Sequence, residues 1–89
     1  MIEIPIDLDG LLPFNRLTAI KIAEAADRFK SECLFRSPKG EINIKSILGV
    51  MSLKAEKGTR LYISGVDEKT ACETILDLLN SIKVKSCRE

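Results

Sequence analysis

Residues 33–44 read Cys33-Leu34-Phe35-Arg36-Ser37-Pro38-Lys39-Gly40-Glu41-Ile42-Asn43-Ile44. Cys33 and Phe35 alternate with Leu34 and Arg36, and Ile42 and Ile44 alternate around Asn43. This is the period of two that sends successive side chains to opposite faces of a strand. The dipeptide Lys39-Gly40 supplies a turn between the two runs, so the stretch predicts a β-hairpin.

The flanking sequence supplies the rest of a sheet and its cover. On the N-terminal side, Ala19, Ile22, Ala23, Ala26 and Phe29 recur every three or four residues, one face of a helix expected from about Asn15 to Phe29. Asn15 suits its N-cap, because an Asn oxygen can accept from a free amide of the first turn. Before it, Ile2, Ile4 and Ile6 alternate with Glu3, Pro5 and Asp7, a strand that Pro5, having no amide donor, assigns to a sheet edge or limits in pairing. An Asp9-Gly10 turn and a short apolar loop join the two.

On the C-terminal side, Ser46 precedes Ile47-Leu48-Gly49-Val50-Met51, enough for one or two helical turns with serine as N-cap. Leu61 and Ile63 alternate with Arg60 and Tyr62 in a fourth strand, introduced by Gly58 and closed by Ser64-Gly65. Asp67 is the expected cap of a last helix whose apolar stripe is Ala71, Ile75, Leu78, Leu79 and Ile82. The order is β-α-β-β-α-β-α. A four-stranded antiparallel sheet with helices on its one apolar face satisfies every stripe, which makes the fold α+β, an open-faced β-sandwich. Residues 1–89 are expected to form one domain, with a frayed tail from about residue 84.

Composition excludes several functions. With 14 basic and 13 acidic side chains interspersed to a net charge of +1, there is no field of one sign to attract nucleic acid or anionic lipid. No apolar run approaches the roughly 20 residues that span a bilayer, so the expected compartment is the cytoplasm. The chain contains no histidine, so Ser-His and Cys-His pairs cannot be assembled. Glu24, Asp27 and Glu32 read as solvated charges, and Gly40, Gly49, Gly58 and Gly65 are isolated rather than grouped in a phosphate-binding loop. Cys33 and Cys72 read as small apolar residues and Cys87 as incidental; no zinc spacing or disulfide framework is present, and no metal or cofactor is expected.

The informative segment is Lys45-Ser46-Ile47-Leu48-Gly49-Val50-Met51-Ser52-Leu53. It sets a hydroxyl at the start of a helix too short to bury all the apolar residues that follow. This segment resembles the regulatory-serine region of the HPr family, the phosphocarriers of the bacterial sugar phosphotransferase system, and of its Crh-type regulatory branch. Asn43 before it, Gly58 after it and the order of elements extend the resemblance over roughly residues 2 to 83.

The same resemblance lays the family's active-site pattern, Gly-(Leu or Ile)-His-Ala-Arg-Pro, on Pro13-Phe14-Asn15-Arg16-Leu17-Thr18. Asn15 then occupies the phosphohistidine position. Leu17 and Thr18 replace the Arg and the Pro, and Arg16 is one position out of step. Asn has no ring nitrogen to hold a labile phosphoryl group, so phosphohistidine transfer is expected to be lost.

What the resemblance implies is regulation. Ser46 is implied as a site phosphorylated by an HPr kinase/phosphorylase, and Ile47, Leu48 and Met51, with Arg16, as a docking patch for a regulatory protein or repressor. Crh-type proteins exchange the active-site His for an amide side chain and act as corepressors; Leu17 cannot supply the charged contact that the family's Arg makes with the repressor. A phosphoserine at a helix start places about −1.5 to −2 charge beside free amides, which the fold should tolerate.

Other readings stand beside this one. Ser46 can serve only as a cap and Ile47 and Leu48 only as core, leaving an unphosphorylated binding module. A small-ligand sensor or enzyme on the same scaffold would need a concave pocket near Asn15, Arg16 and Thr18. A monomer and a strand-swapped dimer are both compatible with the sequence, since Pro5 lies in the strand that Crh-type relatives exchange.

Overall fold

The computed structural model describes residues 1–6, 8, 14–53 and 58–87, with side chains to residue 82; the expected Asp9-Gly10 turn and Pro13 lie outside these. The elements follow the expected order: β1 (Ile2–Pro5), α1 (Arg16–Asp27), β2 (Glu32–Ser37), β3 (Gly40–Asn43), α2 (Ile47–Met51), β4 (Arg60–Ser64) and α3 (Glu68–Cys87). One antiparallel sheet has strand order β1-β4-β2-β3. In the hairpin Phe35 pairs with Ile42 and Ser37 with Gly40, so the two linking residues are Pro38 and Lys39, one position earlier than expected.

Strand order explains the burial of each strand. β1 pairs with β4 alone and places Pro5 opposite Arg60, an edge position where a missing amide is tolerated. Ile4, Leu61, Phe35 and Ile42 lie in one cross-strand row, and Ile2, Ile63 and Cys33 in another. Both rows face the helices. Ala19, Ile22 and Ala26 of α1, Val50 of α2, and Ala71, Cys72, Ile75 and Leu79 of α3 close over them in a single core. Cys33 and Cys72 are therefore buried thiols, and desolvation pushes both above the ordinary thiol range.

The opposite face of the sheet is open, but its centre is not bare. Tyr62 is buried because the Arg36 guanidinium lies 4.0 Å above its ring. The same guanidinium donates through Nε to Glu41 at 2.6 Å and through Nη1 to Glu3 at 3.3 Å. Arg36 thereby ties β3, β4 and β1 together from β2.

One helix boundary differs from expectation. α1 stops at Asp27, with Arg28 as C-cap, before the Phe29 that the apolar stripe included. The α3 backbone is helical to Cys87, so the tail expected to fray from about residue 84 comprises its last turn. Lys83-Val84-Lys85-Ser86-Cys87 holds no Gly or Pro to stop it.

Asp67 also differs. Its carbonyl accepts the first helical bond of α3 from Ala71 at 3.0 Å, as a cap residue's should. Its carboxylate turns away to the α1–β2 turn, where it accepts from the Lys30 and Ser31 amides, each at 2.9 Å, and from the Ser31 hydroxyl. Ser31 is fully buried, and a buried hydroxyl without a partner costs more than an exposed amide at a helix start, which water can satisfy.

Candidate functional site

The segment 43–53 is built from the backbone outward. Asn43 closes β3 and bends the chain: its Oδ1 accepts from Lys45 N at 3.0 Å and its carbonyl from Ser46 N at 3.0 Å. Ser46 keeps an extended backbone and its Oγ accepts from Gly49 N at 3.1 Å, the N-cap bond of α2. Gly49 is needed for closeness rather than for turning. A Cβ there would lie 3.1 Å from Ile42 Cγ2 and 3.3 Å from the Asn43 carbonyl, so α2 rests directly on β3.

One face of α2 is committed to the core and the other is not. Val50 is fully buried, whereas Leu48 is 81% exposed, Ile47 39% and Met51 37%. The half-buried Ser46 hydroxyl therefore sits at the head of three apolar side chains that the fold leaves at the surface. Of the two roles weighed for Ile47 and Leu48, core packing does not account for Leu48.

Asn15 caps α1 as its sequence position suggests, with Oδ1 accepting from Thr18 N at 2.8 Å. Arg16 is exposed, and Leu17 is 72% exposed in the first turn of the same helix. The Ser46 turn approaches α1 from its other end, where Lys45 Nζ donates to the carbonyl of Phe29 at 2.7 Å. Among the described residues no hydrogen bond joins Asn15 to the Ser46 segment. A cavity of about 200 Å³ lies between the hairpin tip and the C-terminal end of α2, lined by Ser37, Lys39, Glu41, Ile42, Ser52 and Leu53. Its lining does not include Asn15, Arg16 or Thr18.

The Lys45 contact and the exposure of Leu17 escaped the sequence reading. Asn43 two residues before Lys45 is the signature of an Asx turn and could have located the bend. Nothing in the sequence points from Lys45 to Phe29, sixteen residues away.

These features define a small open-faced sandwich that presents a helix-capping serine beside an exposed apolar cluster. A family model described as "PTS HPr component phosphorylation site" matches residues 17–81. The phosphocarrier protein HPr of Neisseria meningitidis is 34% identical over 82 residues, covering 90% of this chain and 92% of that protein. The crystal structure of HPr-C-His from Thermoanaerobacter tengcongensis superposes with a TM-score of 0.78 at 28% identity, covering 92% of this chain and 94% of the other. Crh of Bacillus subtilis, described as a swapped, intertwined dimer, superposes with a TM-score of 0.68 at 28% identity over 78% of this chain and 82% of its own.

The chain belongs to the HPr family. Asn15 and Arg16 fall just before the residues that the family model matches, whereas the whole Ser46 segment falls within them.

Proposed function

We propose that the chain is a Crh-like regulatory member of the HPr family: a non-enzymatic bacterial protein of the cytoplasm, unable to carry phosphohistidine, modified on Ser46 by an HPr kinase/phosphorylase. Its output is contact with a regulatory protein or repressor of carbon metabolism. The observation that carries this reading is the pairing of a helix-capping serine with Leu48, Ile47 and Met51 left at the surface of a chain without histidine.

The physical logic is modulation of an apolar contact by charge. Leu48, Ile47 and Met51 would bind through buried area, with Arg16 at the start of α1 as a charged contact, and a phosphoryl group at the head of α2 would admit one partner and repel another. Asn15 occupies the phosphohistidine position by resemblance and keeps the helix cap without a nucleophile.

A second reading, an unphosphorylated binding module, is favoured by the bond that Ser46 Oγ accepts from Gly49, since that bond alone gives the serine a purpose. As for assembly, β1 is a four-residue edge strand held by β4, the type of element that can be exchanged between copies, so a monomer and a swapped dimer both fit.

The test is intact-mass measurement after incubation with ATP and a bacterial HPr kinase. Parallel reactions use Ser46→Ala, and phosphoenolpyruvate with enzyme I. One phosphoryl addition from ATP, absent from the alanine variant and from the phosphoenolpyruvate reaction, is the expected outcome. No addition by a kinase that modifies a known substrate refutes the phosphoserine reading and leaves the binding module.

A further inference from the structure

The turn that carries Ser46 is fixed to the sheet by its backbone. Ile44 N donates to Cys33 O at 3.0 Å, Lys45 N to Asn43 Oδ1 at 3.0 Å and Ser46 N to Asn43 O at 3.0 Å. Besides the apolar packing of Ile44 and Val50 in the core, a polar side-chain contact joins this turn to the end of α1: the half-buried Lys45 donates from Nζ to Phe29 O at 2.7 Å, one residue past the C-cap of α1. An ammonium at that point also meets the negative end of the α1 dipole, and a charge-assisted bond to a carbonyl is shorter and stronger than a neutral one.

We propose that Lys45 is a positioning residue for phosphoryl transfer to Ser46, acting by tethering the serine turn to the end of α1. The inference rests on the reading of Ser46 as a phosphorylation site. Transfer forms a bond from Ser46 Oγ to the γ-phosphorus of ATP, breaks the bond from that phosphorus to the bridging oxygen, releases ADP and passes the hydroxyl proton to a base of the kinase. The reaction therefore needs Oγ held in line, and a turn that wanders costs rate. Lys45 acts through the turn rather than by touching the phosphoryl group. Its ammonium is already committed to the Phe29 carbonyl at the end of α1.

The experiment measures steady-state phosphorylation of the full chain by HPr kinase and ATP for the wild type, Lys45→Met and Lys45→Arg. Native-state hydrogen exchange at Gly49 and Val50 is measured alongside, because these amides donate to Ser46 Oγ and Ser46 O. Lys45→Met is expected to raise KM and lower kcat/KM by about three- to tenfold, the range for the net loss of one half-buried hydrogen bond that water can partly replace. Exchange at Gly49 and Val50 should accelerate by a similar factor while β2 and β4 keep their protection, and Lys45→Arg should restore most of both.

Wild-type kinetics in Lys45→Met overturn the proposal. So does slowed phosphorylation with unchanged exchange, which would place Lys45 in direct contact with the kinase. Should Lys45→Met fail to fold, Lys45→Gln keeps an N–H donor and should give intermediate values of both quantities; wild-type kinetics with faster exchange would again overturn the tether. A wild-type chain that takes no phosphoryl group sinks the Ser46 reading and this role with it, whereas a modified wild type indifferent to Lys45 sinks the tether alone.

Discussion

Ser46 does two things that a substitution can separate. Its Oγ satisfies one amide of α2, so Ser46→Ala should lower unfolding free energy by about 1 kcal/mol, read from the shift of a urea midpoint at unchanged slope. Loss of phosphoryl acceptance, by contrast, should be complete. Leu48 offers the converse case: at 81% exposure it contributes little to the core. Leu48→Asp is expected to change stability by less than about 0.5 kcal/mol while weakening capture of a docking partner, a split that thermal melts and a binding titration would display together.

Among elements, the α1–β2 turn at Ser31 and the β4–α3 turn at Gly65 approach each other more closely than the surroundings of any other described glycine. Gly65, at φ +156, closes β4 so near to Ser31 that an added Cβ would lie 2.6 Å from the Ser31 Cα. Backbone cannot retreat as a flexible side chain can, so Gly65→Ala should destabilise by about 2–3 kcal/mol, measured by chemical denaturation. The α2–β3 contact at Gly49 is looser, with 3.1 Å to a side-chain methyl that can yield. Arg36 works at the same scale from the other side of the sheet, where it covers Tyr62 and pairs with Glu3 and Glu41.

For the molecule as a whole, Asp67 couples stability to pH. Its carboxyl is held below the ordinary carboxylate range, chiefly by the Ser31 hydroxyl and then by the Lys30 amide. A depressed native pKa means that the unfolded chain binds the proton more readily. The stabilisation is thus present in full above the unfolded carboxylate pKa and is lost as pH falls through the lower native value. A series of melts from neutral to acid pH should show this decline in the wild type. In Asp67→Asn, which retains an acceptor but cannot titrate, the wild-type and variant curves should converge as the pH drops.

The sequence was sufficient for most of this architecture, because its apolar periods are unbroken: alternation at Cys33, Phe35, Ile42 and Ile44, and helical spacing from Ala19 to Ala26 and from Ala71 to Leu79. Asn15 and Ser46 were legible as caps for the same reason, since capping is a bond within three residues. What the tertiary structure alone decided are the long-range polar contacts: Asp67 on the α1–β2 turn, Arg36 over Tyr62, and Lys45 on Phe29. The exposure of Leu17 belongs with them. Period and propensity are properties of neighbours along the chain, whereas a carboxylate or an ammonium takes whichever donor or acceptor the packed elements bring within reach, and that choice exists only once the sheet and helices have met.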